Sequence, residues 1–402
     1  MFYLLILLIV ILSSFVFRNK SIDLTSPIPF MWVTWGIGVA ICISNIFYLY
    51  APISLMSYIY IFLYLLITTI SFYFGCHIKN GKKQSIEYDS KKLLTSFNLM
   101  FLAVVFIYIV TIVKLGLPPA LSGGDRSNYY LSNGGELVYL LIYPSFFLGF
   151  FLIKKFNLLR STVIQLIILL IILLSRGNKM GVFSILIIFC IFFLEKADVI
   201  KLLTILGCTL LVFWASTYIY TKNISDLSAL KFQKIASTGF SMSNQYYALY
   251  DPLIYIASNI YNLNGLIIGG LGGIGFGSTS FKGISQIVSI GFPNLSLKMN
   301  NDLQLMSSTL NVQMFNTFSG LGLLYFDYGI LLSLMFYSVI AFIAGIIYER
   351  IDSNNGLSEI FFYYILYQTL SLSFFTFYLG NMEVLSNMCV VLLIDYISRK
   401  RD

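Results

Sequence analysis

At 402 residues, with 58% hydrophobic and only 10% charged residues, the chain excludes a soluble reading; a soluble protein of this length carries about 25% charged residues. The net charge of +8 does not point to nucleic acid, because lysine and arginine collect in the cytoplasmic loops of membrane proteins. An all-α, polytopic membrane helix bundle is the class that remains.

The first apolar run, residues 2–17, has no charge before it and is followed by Arg18 and Lys20. A signal peptide carries its charges in front, so this run reads as a retained span with its N-terminus outside. Further apolar runs occur at 31–50, 54–77, 93–113, 136–153, 158–174, 180–195, 199–219, 320–348, 357–378 and 382–398. Most are near the length a helix needs to cross roughly 30 Å of hydrocarbon. About eleven spans result: eight in an N-terminal bundle at 1–219 and three in a C-terminal bundle at 320–402. With the N-terminus outside, sixteen of the 25 lysines and arginines lie on inner segments. Five of the nine outer ones fall in the 220–319 segment, which is too long to count toward orientation. The long segment and the N-terminus then face the periplasm, and the C-terminus faces the cytoplasm.

The five cysteines, Cys42, Cys76, Cys190, Cys208 and Cys389, lie in or beside apolar runs with no C-x-x-C spacing, so they read as small core residues. The sole histidine, His77, closes a span and has no second histidine to form a catalytic or metal pair. No D-x-D pattern occurs, which argues against a mechanism built on metal-binding paired carboxylates. Neither a metal nor a cofactor is called for.

Residues 114–135 are rich in glycine and proline and read as irregular turn structure. There Gly123-Gly124-Asp125 precedes Arg126, with Tyr129 and Tyr130 behind it. Residues 175–179, Ser175-Arg176-Gly177-Asn178-Lys179, leave almost no room for a loop between two apolar spans. Arg176 and Lys179 therefore sit at or below the outer headgroup level. Two readings apply: the pair snorkels to lipid phosphates, or it faces the bundle and binds a phosphorylated ligand. A guanidinium forks onto phosphate oxygens, while an ammonium acts as a point charge.

The long segment is too polar for ordinary spans and too apolar for a disordered tail. Residues 226–236 read as a helix at the membrane surface. Residues 243–262 read as a helix interrupted by Pro252, and the glycine-rich run 265–277 as a segment dipping into the membrane against protein. Gly270 to Gly275 matches G-x-G-x-x-G in form, but it follows no strand and opens no βαβ unit, so it is not a nucleotide site. Among the outer acids, Glu136, Asp251 and Asp327 are candidate general bases, each with an ion pair as the alternative.

The layout resembles the oligosaccharide repeat unit polymerases of bacterial inner membranes, the O-antigen polymerase family. The likeness rests on Gly123-Gly124-Asp125-Arg126 with its tyrosines, on residues 175–179 opening a span, and on the run Asn316 to Gly329 entering the ninth span. The number of spans, the long outer segment and the overall length fit as well. One departure is that Leu137 stands where some members carry glycine eleven residues after arginine, and residues 220–319 hold no arginine. The resemblance implies a glycosyltransferase-C-like bundle that joins undecaprenyl-diphosphate-linked oligosaccharides into O-antigen or capsule at the periplasmic face. Membrane lipid, a chain-length regulator and a flippase are the implied partners, with no nucleic acid. In that frame Arg126, Arg176 and Lys179 stabilise the departing diphosphate. Glu136, Asp251 or Asp327 takes the acceptor proton, and Tyr247 and Asn316 hold sugar groups. Lys231 or Lys282 would stand in for the arginines missing from the long segment. The alternatives are a flippase of the lipid-linked oligosaccharide and an O-antigen ligase-type transferase.

Overall fold

The computed structural model describes residues 25–44, 52–78, 86–122, 129, 131, 135–158, 160–177, 179–193, 211, 247–310, 317–351 and 356–400. Among them the regular structure is helical, with only an isolated bridge between Tyr88 and Arg399. In chain order the helices are α1 (Ile28–Ile43), α2 (Leu55–Cys76), α3 (Ser90–Leu115), α4 (Pro119–Ser122), α5 (Gly135–Tyr139), α6 (Ile142–Phe156) and α7 (Arg160–Ser175). They continue with α8 (Lys179–Phe193), α9 (Tyr247–Ile268), α10 (Lys282–Gly291), α11 (Pro293–Ser308), α12 (Gly320–Tyr348), α13 (Leu357–Ser371) and α14 (Met382–Ser398). By length and composition α2, α3 and α12 suffice to cross a membrane, so this is an all-helical membrane protein; α1 and most of α7 and α8 are apolar but shorter. The run 2–17, the run 199–219 apart from Leu211, and the surface helix read at 226–236 lie outside the described residues.

Two compact units form. The first draws on the described parts of 1–80, 229–350 and 365–385, the second on those of 81–228, 351–364 and 386–402.

In the first unit α2 and α12 cross where two glycines meet. A Cβ on Gly75 would lie 2.2 Å from the Phe342 carbonyl oxygen, and one on Gly345 would lie 2.1 Å from that of Phe72. Small residues let membrane helices approach backbone to backbone, which replaces the hydrophobic drive that lipid removes. Several polar groups buried in this core are paired. Trp35 Nε1 and Tyr64 OH both donate to Ser373 Oγ, at 2.9 and 2.6 Å, and the Tyr60 and Ser333 hydroxyls share a bond of 2.5 Å. Asn264 Oδ1 accepts from Ser54 N and Ser57 Oγ, fastening α9 to the first turn of α2.

Two readings from the sequence change here. Pro252 does not break α9, which runs from Tyr247 to Ile268. The proline falls in the second turn, where it removes one hydrogen bond, and the buried run from Ala257 to Leu266 holds the helix beyond it. The run 357–378 is not one helix, because α13 ends at Ser371 and a 3-10 turn follows at Tyr378–Gly380. Ser373 departs from the helix to bind Trp35 and Tyr64 with its side chain and Gly320 N with its carbonyl.

The glycine-rich run leaves α9 at Ile268 and packs on α12, which is kinked at Gly329 (φ +74). The kink frees carbonyls that a straight helix would occupy internally. Gly273 N donates to the Tyr325 carbonyl at 3.2 Å, Ile274 N to Phe326 at 2.8 Å and Phe276 N to Asp327 at 3.2 Å. Irregular backbone is thus paired to protein. A Cβ on Gly275 would stand 2.0 Å from Asp327 Oδ1, so the loop fits only because that position is glycine.

The second unit is built on α6, whose Phe147 ring packs edge-on against Phe192 and Phe361, with centroids 5.1 and 4.9 Å away. The single span read at 136–153 is two helices, α5 and α6, divided at Leu140–Leu141. Pro144 lies in the first turn of α6, where its missing N–H would have had no helical partner. At one end Tyr88 OH, Ser358 Oγ and the Arg399 guanidinium all converge on the buried Asp395 carboxylate.

Candidate functional site

The second unit holds the cationic site. Arg176 follows the last residue of α7, and its chain turns at Gly177 (φ +72), a conformation that favours glycine. Its Nη2 donates to both oxygens of Glu136, at 2.7 and 2.9 Å, and to the Tyr129 carbonyl at 3.3 Å. Its guanidinium carbon lies 3.5 Å from the centre of the Tyr139 ring, a close cation–π stack. Glu136 and Tyr139 stand three residues apart on α5, so one helical face presents both the carboxylate and the ring. The Arg176 side chain is only 15% exposed, and its buried Nε has no hydrogen-bond partner among the described residues. Such a buried donor carries a desolvation cost that an incoming acceptor would relieve.

The surrounding shell fixes this geometry. Tyr139 OH donates to Thr111 Oγ1 at 3.1 Å, and Tyr129 OH donates to the Gly116 carbonyl at 3.1 Å. Tyr108 OH and Ser175 Oγ are 2.8 Å apart. Leu131 N donates to Glu136 Oε1 at 3.2 Å, so a backbone group from the irregular segment also holds the carboxylate. Burial, the largest cause, pushes the Tyr129 hydroxyl above its ordinary value; Tyr108 adds to this and Arg176 opposes it. The site can bind a multiply charged anion through a guanidinium while offering a carboxylate and aromatic faces beside it.

The sequence candidates are thus divided. Arg176, Glu136 and Tyr129 come together. Both readings of Glu136 meet in one contact, since the candidate base is ion-paired with the candidate cation. Lys179 opens α8 three residues after Arg176, but its side chain lies outside the described residues, as do those of Tyr247 and Asp251 on α9. Arg126, Tyr130, Lys231 and Asn316 also lie outside them.

Two candidates with described side chains belong to the first unit. Asp327 is buried and accepts from Ser280 N at 2.6 Å, from Ser280 Oγ and from Thr279 N. Its carboxylate ties the glycine-rich loop to α12 and faces those donors, not a free surface. Lys282 opens α10 and is exposed. His77 caps α2, its Nδ1 donating to the Tyr73 carbonyl at 2.7 Å.

The sequence reading missed Tyr139, the ring under the guanidinium. Its signal was the three-residue spacing from Glu136, hidden because residues 136–153 looked like one apolar span. No protein-family model, curated protein or solved structure matches the chain.

Proposed function

We propose that this membrane protein is a glycosyltransferase that joins oligosaccharide units carried on a polyprenyl diphosphate, with Arg176 as the anchor for the diphosphate. The observation that carries this reading is the Arg176 site: a largely buried guanidinium whose Nε is unsatisfied among the described residues, stacked on Tyr139 and paired with one carboxylate. The resemblance to repeat unit polymerases supplies the substrate class and the periplasmic face of a bacterial inner membrane.

In this reading Glu136 occupies the guanidinium while the site is empty of substrate. A diphosphate brings more negative charge and more acceptor oxygens, and competes for Nη2 and Nε together. Glu136, once displaced, faces the reacting sugar and takes the proton of the acceptor hydroxyl. That oxygen bonds to the anomeric carbon as the bond to the diphosphate breaks. The charge building on the departing diphosphate is met by Arg176 in a site largely shielded from water. Tyr129 and Tyr139 border the sugar side of the exchange.

The test is chain length. In cells making the polymer, Arg176→Ala should abolish long chains while single units still reach the carrier lipid or cell surface. Arg176→Lys should leave short chains, because an ammonium keeps the charge but not the fork. Unchanged chain lengths in a variant present at normal amounts would remove Arg176 from the reaction.

A further inference from the structure

An amphipathic helix in the first unit has no part in the Arg176 site. α10 has ten residues and is therefore about 15 Å long, half of what a crossing needs. Ile284, Ile287 and Val288 follow the i, i+3, i+4 spacing of a helical stripe, and all three are exposed. Lys282, Ser285, Gln286 and Ser289 occupy the opposite face. A third side meets protein: Gly283 is buried, and a Cβ there would lie 2.4 Å from Met382 N. The apolar stripe is therefore distinct from the side that holds α10 in place.

The depth of this helix can be read from α12. Up to Asp327 that helix is almost wholly buried; beyond the Gly329 kink an exposed apolar stripe begins, with Leu331, Met335, Val339 and Phe342. Residues 330–348 span about 28 Å at the helical rise, close to the thickness of the hydrocarbon. Lipid contact thus starts near the kink. Ser280 N is bonded to Asp327 just outside that level, and α10 begins two residues later.

Two exposed rings flank α10 in the chain. Phe276 has φ +52, an unusual conformation for a bulky residue, and is 76% exposed, with Lys298 Nζ 4.9 Å from its ring centre. Phe292, directly after α10, is 67% exposed.

We infer that α10 is an interfacial membrane helix that rests its Ile284–Ile287–Val288 stripe among the outer ends of lipid acyl chains, with Lys282 and Lys298 toward lipid phosphates. The occupant is the bilayer and not a second copy, because the lipid-facing stripe of α12 starts at the depth where α10 begins. Apolar rings and lysines flanking a short amphipathic helix are the composition such a position selects.

The test uses the full chain in nanodiscs of phosphatidylethanolamine and phosphatidylglycerol, its native cysteines replaced, with a nitroxide on Ile287→Cys or Gln286→Cys. The Ile287 label should collide with oxygen more often than the Gln286 label, and roughly five-fold less often with a water-soluble nickel chelate. Equal nickel accessibility at both positions would overturn the proposal. So would spin–spin broadening at Ile287, which would mean that a second copy covers the stripe. Val288→Cys repeats the measurement should Ile287→Cys fail to fold, and its label should behave as the Ile287 label does.

Discussion

Replacing Arg176 separates a reacting group from a brace. Arg176→Ala removes two charge-assisted hydrogen bonds to Glu136, of a kind worth about 1.5–3 kcal/mol, and a stack worth about 0.5–2 kcal/mol. Glu136 is 31% exposed and keeps its bond from Leu131 N, so water and backbone recover part of the loss. The net cost should be about 2–3 kcal/mol. Glu136→Gln keeps one oxygen for the guanidinium and should cost about 1 kcal/mol. Phe147→Leu, in the core of the same unit, should cost about as much as Glu136→Gln and serves as a stability control. Unfolding in mixed micelles gives the stabilities, and the ladder of polymer lengths gives the activity. Arg176→Ala and Glu136→Gln should both lose long chains, while Phe147→Leu keeps them. If the ladders of all three variants instead follow the amount of folded protein, the pair is a structural brace and the proposed exchange fails.

Further outcomes follow from other contacts. Gly345→Ala puts a methyl group 2.1 Å from the Phe72 carbonyl oxygen and must part α2 from α12 by about 1 Å, so it should cost about 3 kcal/mol in the same unfolding assay. Asp327→Asn weakens the acceptors that hold Ser280 and Thr279, and amide exchange across 273–281 should quicken while that in α2 stays slow. Burial, with the bond to Asp395 next, raises the Tyr88 hydroxyl above its ordinary value. The folded chain therefore keeps this proton after the unfolded chain has lost it. Its contribution is level below about pH 10, the usual tyrosine value, and declines above it. Tyr88→Phe should flatten that alkaline decline, as measured by unfolding between neutral and high pH. Polymerisation by purified protein should proceed in the presence of a chelator; strict need for a divalent ion would overturn the metal-free reading.

Apolar run lengths alone located α2, α3 and α12, because a stretch that must be apolar throughout to face lipid leaves a mark any window detects. The cation pair at residues 175–179 was legible for the same reason, since two charges between apolar runs stand out. Tertiary structure decided what Arg176 meets. Glu136 and Arg176 are far apart in sequence, and nothing local states that one occupies the other or that Tyr139 lies beneath. It likewise decided that Asp327, a candidate base, holds a glycine-rich loop. That assignment depends on carbonyls freed by the Gly329 kink, and on donors nearly fifty residues upstream. Composition reports which solvent each stretch tolerates, whereas the partner of a buried polar group is fixed only when distant segments close around it.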